Sequence, residues 1–280
     1  MTFVQVVVLS LIQGLTEFLP VSSSAHLIFP SKLLDWEDQG LAFDVAVHVG
    51  TLMAVIFYYF SDISRISLAV LEACVRRRLT VDGKVGFCII IGTVPVCVAG
   101  LLFEELISTW GRSLTVIAWA TIGFGLLLGI ASYLNRHMIY RMDINSDLEQ
   151  PDSLKYLTYP LALFIGLMQA VAIIPGTSRS GITLTAGLLA GLRPQAAAKF
   201  CFLLSIPVIL ASGVFEGVKL YTHPELLAST DFMLMSVGVF LSFFTALAVI
   251  HLFMKFIARS GMALFVIYRL ILGAVLLSLF

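Results

Sequence analysis

Two short runs hold the residues that could do chemistry. The first is Gln13-Gly14-Leu15-Thr16-Glu17-Phe18-Leu19-Pro20-Val21-Ser22-Ser23-Ser24-Ala25-His26. The second is Pro175-Gly176-Thr177-Ser178-Arg179-Ser180-Gly181-Ile182-Thr183. No charged residue lies between Lys155 and Arg179, so this guanidinium stands in apolar surroundings. There it needs an anion, backbone carbonyls or water. Gly176 and Gly181 allow close backbone approach, and Ser178, Ser180 and Thr183 supply hydroxyls. A half-helix starting near Ser178 would aim its N–H groups and positive dipole end at an anion. With the planar fork of Arg179, that set makes a phosphate clamp. A buried ion pair with Glu17 is the other way to compensate Arg179. The two are compatible if a ligand displaces the pair.

The first run offers different groups. Gln13 and Glu17 are four apart and share a helix face. If a helix starts around Ser22, His26 stacks over the Ser22 and Ser23 hydroxyls. The plain reading makes Ser22 an N-cap and His26 a satisfied interior histidine. Yet an acid, three serines and an imidazole together, where polar groups are costly, point to function. An acid, a hydroxyl nucleophile and an imidazole facing a phosphate clamp suit phosphoryl transfer, where catalysis is mostly positioning and charge stabilisation. Apolar flanks suggest a lipid-borne phosphate.

The elements that must position these residues are membrane helices. The chain has 280 residues, 59% hydrophobic and only 12% charged, against about a quarter charged in soluble domains. Its net charge of zero gives no basic field for nucleic acid. Cys74, Cys88, Cys97 and Cys201 show no metal-binding spacing and read as packing residues. The first twenty residues lack a basic n-region, so they read as part of the mature protein. Apolar segments of bilayer-crossing length run through 41–60, 85–106, 114–134, 197–217, 232–254 and 262–280. Segments 2–33 and 157–192 are apolar but broken near their middles, which predicts reentrant pairs of half-helices joined by a turn.

The fold expected is an all-α polytopic membrane protein with an inverted-topology repeat, giving six spans and four half-helices. The first repeat is 1–134, the cytoplasmic linker 135–156 and the second repeat 157–280. Each repeat is a reentrant pair followed by three spans, and the odd number of crossings inverts the second half. Charge agrees. Arg65, Arg76, Arg77, Arg78, Lys84, Arg136, Arg141, Lys155, Arg193, Lys199, Lys255 and Arg259 fall on one face, leaving Lys32, Arg112 and Lys219 on the other. The positive-inside rule makes the first face cytoplasmic and puts both termini outside.

With these residues in view, the chain resembles the undecaprenyl pyrophosphate phosphatase family linked to bacitracin resistance. The resemblance rests on Gln13-x-x-x-Glu17, Pro20 to His26 and Pro175 to Thr183, and extends through Phe43–Gly50 and Tyr268-Arg269. Ser24 and Ala25 stand where the family has Thr-Gly, a small departure. The resemblance implies an integral membrane phosphatase of the bacterial inner membrane, with its site towards the periplasm. It would remove the terminal phosphate of undecaprenyl diphosphate to return a cell-wall carrier lipid. It also implies a divalent cation, Mg2+ or Ca2+, near the acidic motif, with Glu17 and Gln13 holding metal or water. Ser23 or His26 would attack or relay a proton, and Ser24, Gly176, Ser178, Arg179, Ser180 and Thr183 would bind phosphate.

Three nucleophiles are open at this point: Ser23 with His26 as base, His26 itself, or metal-bound water. Ser23 is the first choice. One carboxylate beside Gln13 is a thin cation site, which substrate phosphates would have to complete. The expected partners are a polyprenyl diphosphate lipid and membrane lipids, with no nucleic acid and a homodimer admitted. The rival reading is an inverted-repeat transporter or flippase of a phosphorylated lipid or anion. A mere binder does not require the Glu17, Ser23 and His26 cluster.

Overall fold

A computed structural model describes residues 1–27, 36, 39–103, 113–142, 152–223 and 231–279. Among them there is no strand, and the architecture is all-helical. The far end of the first reentrant pair (28–33), residues 143–151 of the expected linker, and Lys32 and Arg112 lie outside the described residues.

Helix α1 spans Phe3–Thr16. It opens on a capping box in which Thr2 Oγ1 accepts from Gln5 N and Gln5 Oε1 accepts from Thr2 N. It ends before Pro20, and a second helix, α2, begins at 23 and is described through 27. Then come α3 (Leu41–Tyr58), α4 (Phe60–Arg76), α5 (Val81–Leu102) and α6 (Leu114–Met142). The later part of the chain repeats a broken start. Helix α7 (Tyr159–Ala170) runs into a 3-10 turn, Val171–Ile173, and α8 (Arg179–Leu189) follows after Pro175-Gly176. Helices α9 (Pro194–Thr222), α10 (Phe232–Ser260) and α11 (Ala263–Leu279) complete the chain.

Five of these helices, α3, α5, α6, α9 and α10, are long and apolar enough to cross a membrane. The shorter apolar α11 covers the remaining segment expected to span, 262–280. This is a multi-pass membrane architecture. Several boundaries differ from the sequence reading. Thr80 Oγ1 caps Gly83 N and starts α5 at Val81 rather than 85. Helix α6 continues past 134 into the stretch assigned to the linker.

The larger difference concerns 61–84, which falls between two expected spans and carries no expected helix, because most of it is α4. Its exposed apolar residues Phe60, Leu68, Leu71 and Val75 recur at helical spacing. A search for uniformly apolar, membrane-length runs passes over such an amphipathic helix. Charge ties α4 to its neighbours. Arg65 bridges Asp62 and Asp82, at 2.8 Å each, and Lys199 of α9 bridges Asp62 at 3.1 Å and Asp152 at 3.0 Å.

Packing brings the two broken segments together. Helix α1 packs on α10 and α3, α7 packs on α5, and α8 sits between α6 and α9. Small residues allow the closest approaches, as usual between membrane helices. A Cβ on Gly166 of α7 would come within 2.5 Å of Gly92 O on α5. Beneath the first turn, Phe18 packs edge-on against Phe202 (centroids 5.4 Å), which continues to Phe253 and Phe265. This aromatic row anchors the residue next to Glu17.

Candidate active site

Both broken segments turn in the same way. Ser22 and Ser178 have φ of 73° and 68°, a region that non-glycine residues seldom occupy. Each immediately precedes a helix. Ser178 is the N-cap of α8, its Oγ accepting from Gly181 N at 3.1 Å. Each also shares a hydroxyl hydrogen bond two residues on: Ser22 with Ser24 at 3.1 Å, and Ser178 with Ser180 at 3.2 Å. Strained backbone of this kind persists only where the surroundings over-determine it, and it concentrates at functional sites. Gly176 (φ 90°) completes the second turn, where a Cβ would collide with Ile117 O. The turns touch directly, because Ser180 Oγ donates to Leu19 O at 2.8 Å.

Glu17 lies at the end of α1 and is 8% exposed. Arg179 Nη2 donates to its Oε1 at 2.6 Å, forming a buried ion pair between the two segments. Its Oε2 accepts from Gln13 Nε2 at 2.9 Å and from Ser23 Oγ at 3.1 Å. Arg179 Nη1 also reaches Ser205 O on α9 at 3.4 Å. Acid, serine and guanidinium thus form one connected group.

That group faces a cavity of about 390 Å³. Among the residues singled out from sequence, Glu17, Ser23, Ser24, Gly176, Ser178 and Arg179 line it. The rest sit behind its wall. Gln13 is fully buried and pins Glu17 through its amide. Ser180 is spent on Leu19 O. Thr183 Oγ1 donates to Arg179 O at 2.8 Å and lies 2.8 Å from Cys201 Sγ, towards α9. His26 Nδ1 donates to Ser22 O at 2.7 Å, and its Nε2 accepts from Tyr268 OH at 2.5 Å. The imidazole also stacks on the Tyr268 ring, with an interplanar angle of 4°. Both ring nitrogens are therefore engaged, and the group bonded to Ser23 Oγ is Glu17.

Sequence reasoning missed four polar residues on the cavity wall: Asp44 and His48 on α3, and Ser212 and Glu216 on α9. His48 Nδ1 donates to Asp44 O at 2.7 Å, which turns Nε2 towards Glu17 Oε2, 3.7 Å away. A signal was present. Each is an i, i+4 polar pair on one face of a membrane-length helix.

The residues permit a cation only in one form. Glu17 already receives three donors, Gln13 offers it an N–H, and no group of three or more His, Cys, Asp or Glu suited to a metal occurs among the described residues. A closed cage at Gln13 and Glu17 does not fit. A cation that keeps most of its shell as water and phosphate oxygens does, with Glu17, Asp44 and Glu216 as the cavity carboxylates.

Over residues 6–275 the chain matches the family described as bacitracin resistance protein BacA. A protein named undecaprenyl-diphosphatase 1 from Pseudoalteromonas translucida is 49% identical over 273 residues, 98% of this chain and 97% of its own. Undecaprenyl-diphosphatase 2 from Stutzerimonas stutzeri is 48% identical over 280 residues, covering 100% of this chain and 99% of its own. An undecaprenyl-diphosphatase from Hahella chejuensis is 47% identical over 277 residues, covering 99% of this chain and 98% of its own.

Proposed function

The chain belongs to the bacitracin resistance protein BacA family, and we propose that it hydrolyses undecaprenyl diphosphate to undecaprenyl phosphate and inorganic phosphate. This would recycle the carrier lipid of cell-wall synthesis. The observation that carries the reading is the meeting of Ser23, Glu17 and Arg179 at one cavity.

The terminal phosphate enters the cavity and takes Arg179 from Glu17. The fork binds its oxygens, and the Ser178 turn and the N-terminus of α8 add donors. Releasing Arg179 leaves Glu17 more basic while it still holds the Ser23 hydroxyl. Ser23 Oγ attacks the terminal phosphorus as its proton passes to Glu17. The bond from phosphorus to the bridging oxygen breaks, and undecaprenyl phosphate leaves with its negative charge. Water then attacks the phosphoserine, giving its proton to His48, and as the bond from phosphorus to Ser23 Oγ breaks Glu17 returns its proton to the serine, releasing inorganic phosphate. His26, bonded to Ser22 O and Tyr268, supports the serine turn from behind. Mg2+ or Ca2+ arriving with the diphosphate would keep a shell mainly of water and phosphate oxygens, with the Asp44 and Glu216 carboxylates on the cavity wall attracting it, and would neutralise phosphate charge.

The cavity is assigned to the periplasmic side. It is lined by the start of α3 and by residues 208–216 of α9. These lie roughly 15–25 Å along α9 from the Lys199 cluster, at 1.5 Å per residue, towards the side with few Lys and Arg. On this reading both termini are periplasmic and the membrane is the bacterial inner membrane. Helix packing supports the inverted repeat, since α1 on α10 matches α7 on α5 when the halves are exchanged. The site draws on a single chain, so a homodimer would carry two independent sites.

The test is phosphate release from polyprenyl diphosphate by purified protein in detergent. Wild type should turn over, and Arg179→Ala and Glu17→Ala should not. Lipid movement in liposomes with no phosphate release from wild type would replace this reading with a transporter.

A further inference from the structure

Arg269, on the apolar helix α11, is wholly buried. Its acceptors are main-chain carbonyls, not carboxylates. Nε donates to Thr121 O at 3.1 Å, Nη2 to Gly176 O at 2.9 Å and Nη1 to Pro20 O at 3.5 Å. Pro20 and Gly176 belong to the two different turns, and each stands two residues before the positive-φ serine of its own turn. Thr121 Oγ1 adds a second donor to Gly176 O at 3.3 Å. The neighbours are small enough to admit the guanidinium: a Cβ on Gly181 would lie 2.7 Å from Nη1, and one on Gly125 would lie 3.0 Å from Arg269 Cβ and 3.4 Å from Nε.

We propose that Arg269 is a positioning residue that sets the spacing and register of the two turns, and so the alignment of Ser23 and Glu17 with Arg179. The physical reason is the geometry of the fork. A planar guanidinium directs donors to several fixed points at once, whereas an ammonium is a compact point charge. Turn carbonyls of this kind have no partner in a helix ladder and would be costly to bury unpaired. One side chain therefore satisfies both turns and fixes the distance between them. Arg269 does not line the cavity, so its effect on catalysis runs through geometry. This inference rests on the phosphatase reading for its kinetic test but not for its structural one.

The experiment compares Arg269→Lys, Arg269→Gln and Gly125→Ala with the control Leu272→Ala, a buried apolar position one turn along the same helix that makes no hydrogen bond to either turn. Misplacement of reacting groups by about an ångström costs roughly 100-fold in rate, so the Arg269 variants should lose kcat on that scale. KM should stay within about threefold, the pattern of a lost alignment rather than a lost contact. Gly125→Ala, which presses on the guanidinium without touching either turn, should lose less. The control should match the variants' fall in thermal stability while keeping kcat near wild type. Nitroxide labels at exposed Leu11 on α1 and Leu163 on α7 should report a broadened or shifted distance in the Arg269 variants alone, read by pulsed electron resonance. The inference is overturned if Arg269→Lys keeps wild-type kcat and label distance, or if the control loses as much kcat. Inactive wild type would defeat the phosphatase reading while the label distances still judged Arg269. If the Arg269 variants do not fold, Gly125→Ala decides, and an unchanged kcat and distance there would count against the clamp.

Discussion

Arg179 Nη2 sits 2.6 Å from Glu17 Oε1, across 162 positions of sequence. One residue ends the first half-helix and the other begins a half-helix of the second broken segment. The pair joins the two segments, and on the proposed mechanism it holds the Arg179 guanidinium until a phosphate displaces Glu17.

Breaking it from one side should therefore cost stability as well as activity. Arg179→Ala leaves Glu17 buried without its counter-charge, a loss of about 3 kcal/mol for a pair this enclosed. Glu17→Ala/Arg179→Ala should recover much of that loss while remaining inactive. Thermal unfolding in detergent, beside phosphate release, separates the two effects. A double variant no more stable than Arg179→Ala would refute the account.

Ser23 and His26 should differ in kind. Ser23→Ala removes the group bonded to Glu17 and should lower kcat by roughly 10³-fold or more. Tyr268→Phe removes only the partner of His26 Nε2 and should cost far less, roughly tenfold. Phosphoenzyme trapped by rapid quench in wild type, and missing from Ser23→Ala, would identify the nucleophile. Normal turnover by Ser23→Ala would move the attack to water or His26.

His48 and the two outer carboxylates should matter although the sequence reading gave them no role. His48→Gln should lower kcat/KM by roughly tenfold, about 1.4 kcal/mol. Chelation should stop turnover and Mg2+ or Ca2+ should restore it. Asp44→Asn and Glu216→Gln should raise the cation concentration needed for half-maximal rate. Full activity after exhaustive chelation would remove the cation from the scheme.

Sidedness can be read with cysteine labels in a background lacking the native cysteines. Tyr221 is 86% exposed beyond the cavity end of α9, and Arg77 follows α4 at the basic face. A cysteine at Tyr221 should react with an impermeant maleimide on intact cells, and one at Arg77 only after permeabilisation. The opposite pattern would invert the proposed topology.

The broken segments were legible because Pro20, Gly176 and the serines interrupt apolar runs, and such interruptions at membrane depth require surrounding protein. The Arg179–Glu17 ion pair was legible for a related reason, since charge in hydrocarbon must be compensated. Helix α4 was not, because its apolar stripe occupies only one face. Asp44, His48 and Glu216 lay inside segments already read as spans, where an i, i+4 pair is easily taken for a tolerated exception.

The residue types and their local spacing determined that this chain crosses a membrane, where it breaks, and what chemistry it could hold. Local periodicity is enough for that, because it depends on neighbours a few positions away. Only the tertiary structure decided which groups meet. It gave Ser23 to Glu17 and His26 to Tyr268, turned Thr183 towards Cys201, and put Arg269 behind both turns. Apart from the local Ser23 bond, these are contacts between residues distant along the chain, set by how helices pack. A hydroxyl or guanidinium in sequence has many possible partners, and packing leaves it one set.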